Sequence, residues 1–328
     1  MFNNKIILIT GGTGSFGKAF VNRLVTKYKK IKKLIIFSRD EFKQYEMQKE
    51  FSVKKYPFLR YFLGDVRDYD RLRFAFKGVD YVIHAAALKQ VNTAEYNPFE
   101  FINTNIIGAK NVIEASFERD VKKVIALSTD KACSPINLYG ATKLCSDKLF
   151  SSANNIGGSV STKFSVVRYG NVFSSRGSII PLFLDQNKLR EKFTLTDLSM
   201  TRFNIFMDQA IDMVEWALKN LKGSEIFVPK LKSFKVIDLI KSINLNPKIK
   251  IIGIRPGEKI HEELISNSDS RLTIDIGKYY VILPDKSYFK KYKNHKKLSE
   301  SFSYNSGLKD KQLTVSQIKK LLSKNTNI

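Results

Sequence analysis

The chain has 328 residues, 43% of them hydrophobic, which is enough to bury a core of one large domain or two intimate ones. Charges interrupt every apolar run and the chain starts straight into a strand, so neither a membrane-spanning helix nor a signal peptide is expected. Only two cysteines, Cys133 and Cys145, are present and neither has metal-ligand partners nearby, which argues against a disulfide scaffold or a metal site and favours a reduced cytoplasmic setting.

The net charge of +25 raises the local concentration of any polyanion. Its lysines are nevertheless spread along the chain, with concentrations at Lys27 to Lys33 and Lys286 to Lys297, and form no groove interleaved with aromatics. Nucleic acid is therefore the lesser expectation, and attraction for a diphosphate accounts for the excess as well.

In chain order, Lys5 to Thr10 is a continuous apolar run, the pattern of a strand buried on both faces of a parallel sheet. It leads into Gly11-Gly-Thr-Gly-Ser-Phe-Gly17 and an amphipathic helix from Lys18 to Lys29. Strand, glycine loop and helix together are a dinucleotide fingerprint, because the backbone must turn sharply, approach a pyrophosphate and present bare amides to it. Gly11, Thr13, Gly14, Ser15, Phe16 and Gly17 are the expected cofactor-holding residues.

Leu34 to Phe37 is a second strand, ending in Ser38 and Arg39. A hydroxyl and a guanidinium there suit a ribose phosphate, so NADP is expected over NAD, with Lys43 in support and Asp40 as the reason to keep NAD in view. A third strand, Leu59 to Leu63, places Asp65 and Val66 beside an adenine ring, while Asp68 reads as a helix cap. After a fourth strand, Val79 to Ile83, the small residues Ala85 and Ala86 let a flat cofactor lie close to the backbone. Lys89 faces cofactor phosphates, substrate phosphates or water, and His84, without metal-site partners, reads as structural. Asn97-Pro98 opens a long helix carrying Asn103, Asn105 and Gly108, with Asn105 a candidate cofactor contact.

The short strand Val124 to Leu127 stops at Ser128-Thr-Asp-Lys131, gathering four polar side chains at a carboxyl end, where open α/β sheets place their chemistry. Tyr139 and Lys143 follow on one face of the next helix, a phenol beside an ammonium that favours its phenolate. A further strand, Lys163 to Arg168, runs into Tyr169-Gly-Asn-Val172. The alternation predicts an α/β fold: a doubly wound parallel Rossmann sheet over 1–170, with a return of chain around 205–230, and a smaller C-terminal substrate-binding lobe over 171–328. Within that lobe, Arg202 and Arg255 are planar donors suited to a diphosphate, Trp216 is a packing residue, and the lysine-rich tail after Pro284 is expected to be loosely held, ending in a helix from Thr314 to Leu322.

These motifs resemble the extended short-chain dehydrogenases/reductases that act on nucleotide sugars, and in particular the inverting UDP-N-acetylglucosamine 4,6-dehydratases, whose product leads to pseudaminic acid and related bacterial surface sugars. The resemblance runs nearly end to end through the glycine loop, Ser38 to Glu41, His84 to Lys89, Ser128 to Lys131, Asn137 to Asp147, Arg168 to Val172, Arg176 to Ser178 and Arg255 to Lys259. The Thr-Asp-Lys triplet is its most specific part, since retaining relatives carry Thr-Asp-Glu and 4-epimerases lack the acid and base pair. It implies that Tyr139 takes the 4-hydroxyl proton, Lys143 holds the cofactor ribose, Lys131 removes the proton on carbon 5, Asp130 protonates the departing 6-hydroxyl and Thr129 orients the sugar. Lys131 must then be neutral and Asp130 protonated at the right moment, which calls for a dry site that shifts both from their charged forms.

The same resemblance implies a UDP-sugar site lined by Lys89, Lys131, Asn171, Val172, Arg176, Gly177, Ser178, Thr196, Arg202, Arg255 and Glu258, with no metal, in a homo-oligomer, often a hexamer. Asn204, Phe206 and Cys133 depart from the family pattern, outside the acid and base set. The alternatives are a UDP-sugar 4-epimerase, which would not lose water, and a non-catalytic NADP-binding regulator that holds nucleic acid.

Overall fold

In the computed structural model, which describes residues 1–158, 160–173 and 178–325, strands and helices alternate from the start. The first half runs β1 (Ile6–Thr10), α1 (Ser15–Lys27), β2 (Lys33–Ser38), α2 (Glu41–Glu50), β3 (Leu59–Leu63), α3 (Tyr69–Ala75) and β4 (Tyr81–His84). It continues with α4 (Val91–Tyr96), α5 (Pro98–Ile102), α6 (Gly108–Glu118), β5 (Lys123–Thr129), α7 (Leu138–Ile156) and β6 (Lys163–Tyr169). Asp40 and Asp68 cap α2 and α3 by accepting from the amides of Lys43 and Arg71, which gives each helix a defined start. Pro98 opens α5 at a position where its missing N–H costs nothing.

The second half comprises β7 (Asn171–Val172), α8 (Ile179–Lys188), β8 (Phe193–Leu195), β9 (Thr201–Ile205), α9 (Met207–Asn220), β10 (Ile226–Pro229), β11 (Lys232–Lys235), α10 (Val236–Ile243) and β12 (Ile249–Ile251). It ends with β13 (Glu263–Ile265), α11 (Asn267–Ser270), β14 (Thr273–Asp275), β15 (Tyr279–Ile282), β16 (Lys296–Lys297), β17 (Tyr304–Asn305) and α12 (Val315–Asn325). Ten strands form the central sheet in the order β16-β14-β15-β10-β6-β5-β4-β1-β2-β3. From β10 to β3 the pairs are parallel, as expected of a doubly wound sheet, and the wholly buried Ile7, Leu8 and Ile9 show why the first run is apolar on both faces. The chain travels outward from β1 to β3 and then crosses back to β4, so a crevice opens at the carboxyl ends of β1 and β4.

On one face α1 packs on α9, held by Arg23 to Asp208 and Asp212 and by Lys27 to Glu215; α6 and α7 pack together on the other. A second, smaller core joins α8, β8, α10 and α12 through Phe183, Phe193, Leu239 and Ile318. Two expectations need correction. The long helix after Asn97 is α5 and α6 joined through a π-helical turn, Asn103–Ile107, an irregularity that apolar periodicity does not register.

Nor is the segment after Pro284 loosely held. It adds β16 to the edge of the central sheet and β17 to β13, and it buries Tyr292, Tyr304, Leu313, Ile318 and Leu322. Its lysines disguise a tail that contributes these aromatic and aliphatic residues to the core. Among the described residues no helix is long and apolar enough to cross a membrane. The Tyr304 hydroxyl accepts from the Leu231 amide and donates to the Leu231 carbonyl, each at 2.6 Å. Tyr304→Phe removes both bonds and leaves buried backbone groups unpaired, so urea titration should find a stability loss of about 1–3 kcal/mol. An unchanged midpoint would mean that the tail is not fastened there.

Candidate active site

A cleft of about 1350 Å³ runs from the glycine loop to the segment after β12. Its near end is the crevice between β1 and β4. No side chain caps the start of α1, where Gly14 stands, so the amides of its first turn are left for an anion. A Cβ on Gly17 would sit 2.4 Å from the Gly12 carbonyl oxygen, so α1 reaches this close to β1 only with glycine there. These features fit a dinucleotide pyrophosphate.

The cleft is lined by Gly11, Thr13, Gly14, Ser15, Phe16 and Gly17, by Ser38, Arg39, Asp40 and Lys43, by Asp65, Val66, Ala85, Ala86 and Lys89, and by Tyr139 and Lys143. At the tip of β2 the side chains are already committed in an informative way. Asp40 accepts from the Lys43 amide at 2.8 Å and pairs with the Lys43 ammonium at 2.7 Å, so its carboxylate serves α2 and offsets Lys43. The Ser38 hydroxyl accepts from Gln44. Arg39 is half exposed and meets Asp65 only at 3.6 Å, which leaves its guanidinium turned to the cleft rim.

Asn105 does not line the cleft. It is buried in the π-helical turn, where its amide accepts from the Leu88 N–H and donates to the Leu88 carbonyl and the Thr142 hydroxyl. Its place is therefore a clamp on the loop after β4 rather than the cofactor contact expected. His84 is structural as expected: it is buried, bonds Thr10 at 2.8 Å and is pushed down to about 3 by burial and by the nearby Lys143 charge, so it stays neutral.

The far half of the cleft is built on β5 and α7. Asn137 caps α7 by accepting from Gly140 and donates to the Gly257 carbonyl, joining the helix to the Arg255 loop. A Cβ on Gly140 would sit 2.3 Å from the Lys131 carbonyl oxygen, so only glycine lets α7 press against the turn that carries Lys131. Lys143 donates to the Leu127 carbonyl at 2.8 Å and ties α7 to the strand end; burial holds its pKa below the usual lysine value, against the pull of Asp147. Behind this stands a buried network in which Asp147 accepts from Ser128 and Arg168, and Arg168 also reaches Asp269 and the Leu264 carbonyl.

Lys131 lies at the wall of the cleft with its side chain 22% exposed. Its Nζ meets Asp130 Oδ1 at 3.1 Å, Glu262 Oε1 at 3.1 Å and Asn171 Oδ1 at 3.5 Å. Three acceptors call for three N–H groups, the protonated form. Burial opposes that charge, yet the two carboxylates outweigh it and hold the pKa above the usual lysine value. The expected shift of Lys131 away from its charged form is thus reversed in this state, because the expectation overlooked Glu262. Asp130 does meet expectation in direction, since burial raises its pKa from that of an ordinary carboxyl despite Lys131. It is wholly buried behind Lys131 and does not line the cleft; Thr129, which does, donates to it at 3.0 Å.

Tyr139 is pushed up to about 12 by burial, and the leading cation that opposes this is Lys131 rather than the Lys143 expected from helical spacing. Asn171, Val172, Ser178, Thr196, Arg202, Arg255 and Glu258 all line this half, whereas Arg176 and Gly177 lie outside the described residues. Arg202 is buried with Nη2 3.6 Å from Glu258 and Nε 3.8 Å from Glu262, while Arg255 is exposed at the rim. Glu262 was passed over in the sequence, although it closes the motif that begins at Ile254; the signal was its neighbour Glu263, since of two adjacent acids in an extended stretch one must face inward. Among the described residues no group of three His, Cys, Asp or Glu side chains could hold a metal ion.

Comparison with known proteins agrees with this geometry. The family model described as polysaccharide biosynthesis protein matches residues 7–284. The chain is 51% identical over 316 residues to a Campylobacter jejuni UDP-N-acetylglucosamine 4,6-dehydratase (inverting), covering 93% of each chain. It is 43% identical over 332 residues to a Rickettsia bellii protein named UDP-glucose 4-epimerase, covering 98% of this chain and 96% of that one. The solved structure of Pen from Bacillus thuringiensis matches with a TM-score of 0.90 and 39% identity, over 99% of this chain and 98% of that one. The chain therefore belongs to the polysaccharide biosynthesis protein family, within the extended short-chain dehydrogenases/reductases.

Proposed function

We propose that the protein removes water from UDP-N-acetylglucosamine between carbons 5 and 6 and inverts carbon 5, giving a UDP-4-keto-6-deoxy-L-sugar for bacterial surface or flagellin glycans. The observation that carries this reading is the set of Thr129, Lys131 and Tyr139 on one cleft wall with the acid Asp130 directly behind. The 51% identical Campylobacter relative bears the name of the same reaction. A nicotinamide dinucleotide held along Gly11 to Gly17 would supply hydride acceptance from carbon 4 and its return to carbon 6.

The chain's own residues handle the protons. Tyr139 is the group that takes the sugar hydroxyl proton; burial works against its phenolate, the Lys131 charge works for it, and Lys143 anchors the helix that presents it. Lys131, at the cleft wall beside Asp130, is read as the base for carbon 5. Asp130, which burial shifts toward its protonated form, is the acid for the departing 6-hydroxyl, and Thr129 connects it to the cleft. Arg202, Arg255 and Lys89 would meet the diphosphate, with Asn171, Val172, Ser178, Thr196 and Glu258, and Arg176 and Gly177 from the resemblance, completing the substrate wall. The reading includes a cytoplasmic homo-oligomer, hexameric by resemblance.

A 4-epimerase is the second reading, favoured by the name of the Rickettsia relatives. Incubation with UDP-N-acetylglucosamine in heavy water should yield a product lighter by one water with solvent deuterium at carbon 5; a product of unchanged mass would select the epimerase. Lys131→Ala should slow elimination about 10²- to 10⁴-fold while hydride still leaves carbon 4, and normal elimination in that variant would remove Lys131 as the base.

NADP is the preferred cofactor, because the Asp40 carboxylate is spent on α2 and Lys43 while Arg39 faces the cleft rim. Arg39→Ala should weaken NADP binding about 10- to 100-fold, the worth of one hydrogen bond to a charged group, and leave NAD binding nearly unchanged. Equal losses for both cofactors would assign Arg39 another role.

A further inference from the structure

Lys131 cannot act as a base while all three of its N–H groups are engaged with Asp130, Glu262 and Asn171. A proton must leave it first. Asp130 cannot receive that proton if it is also to protonate the departing hydroxyl, and the Asn171 amide oxygen is no proton store. Glu262 is the remaining contact. It is buried, its Oε1 touches Lys131 at 3.1 Å, and its Oε2 is buried without a hydrogen-bond partner.

We propose that Glu262 is a positioning residue for the dehydration: it fixes the Lys131 ammonium at the cleft wall and takes the proton that Lys131 must shed. This rests on the reading above. An N–H bond of Lys131 breaks with its electron pair left on Nζ, and an O–H bond forms on Glu262. One positive and one negative charge become two neutral groups, so no net charge moves in a site where unpaired charge is costly. The freed pair on Nζ takes the carbon 5 proton, the C–H electrons move toward the 4-keto group, and the hydroxyl on carbon 6 leaves with the Asp130 proton. The proton on Glu262 then passes through Lys131 to Asp130 along the two 3.1 Å contacts, and all three groups are restored.

The charged and titratable groups facing Lys131 are Asp130, Glu262, Arg202 and Tyr139, and those facing Glu262 are Lys131, Arg202, Lys259 and Asp130. Burial works against the charge on Glu262, but Lys131 and Arg202 hold its pKa below the usual carboxyl value, so the resting state is the ion pair. The proton transfer is therefore a step of the cycle and not the resting arrangement.

The test compares the full-length protein with Glu262→Gln and Glu262→Asp, using UDP-N-acetylglucosamine in heavy water. Wild-type protein must lose water first, and its failure to do so overturns the proposed function itself. In Glu262→Gln, deuterium entry at carbon 5 and water loss should fall about 100-fold or more at neutral pH, the scale of a lost proton-transfer group. Hydride removal from carbon 4, read as reduced nicotinamide in a single turnover, should stay within a few-fold. The residual elimination should rise with pH as Lys131 loses its proton to solvent instead, and Glu262→Asp should restore part of the loss. Wild-type elimination in Glu262→Gln, or an equal fall of hydride removal and carbon 5 exchange with an unaltered pH profile, overturns the inference. If the Gln variant does not fold, Glu262→Asp decides: slowed carbon 5 exchange with intact hydride removal supports it, and equal or absent slowing overturns it.

Discussion

One ammonium between two buried carboxyl groups, of which Glu262 is the anion, is the constraint around which the cleft is arranged. Neither Asp130 nor Glu262 could be kept from water alone without taking up a proton or finding a cation, and Lys131 answers both at 3.1 Å. The three residues come from distant parts of the chain, Asp130 and Lys131 from the turn after β5 and Glu262 from the residue before β13. Bringing them together obliges the segment from Ile254 to Glu262 to fold back over the end of the sheet. The Asn137 bond to Gly257 and the Lys259 bond to the Cys133 carbonyl hold it there.

Precision at that point is inherited from parts with no chemistry of their own. Lys143 fastens α7 to the end of β5, and Arg168, 1% exposed, fixes the same strand end from behind through Asp147. Such a buried ion pair contributes little net stability compared with apolar packing, though removing one partner leaves an uncompensated charge. Its use here is geometric, since Ser128 donates to the same Asp147 oxygen that Arg168 binds, one residue before Thr129. A site whose donors and acceptors are preset in this way does not spend substrate binding on ordering them.

The fold was legible in the sequence where local pattern and burial coincide. The run Ile6 to Ile9 could only be a strand buried on both faces, and the glycine loop could only follow it. The edge β16 and the buried Tyr292 were hidden because lysines outnumber the apolar residues beside them, and Tyr304 because serines and other polar residues flank it. In the site, strand ends and helical spacing placed Thr129, Lys131, Tyr139 and Lys143 in one cleft. Charge state was not legible, because it depends on Glu262, more than a hundred residues from Lys131 in the chain. Asn105 was misread for a similar reason: its neighbour in space, Leu88, is supplied by another loop.

The π-helical turn Asn103–Ile107 carries a corollary for how this chain tolerates change in length. Such a turn holds one residue more than regular helix, and each residue of an α-helix advances the side-chain direction by about 100°. The extra residue is absorbed within the turn, which sets Asn105 against Leu88 between the buried Phe101 and Val112. A one-residue deletion here would leave the helix regular and better bonded with its flanks in phase, yet remove the displaced backbone that aims Asn105 at Leu88 and Thr142. The irregularity is thus where the sequence stores the alignment between the cofactor loop and the long helix beside it.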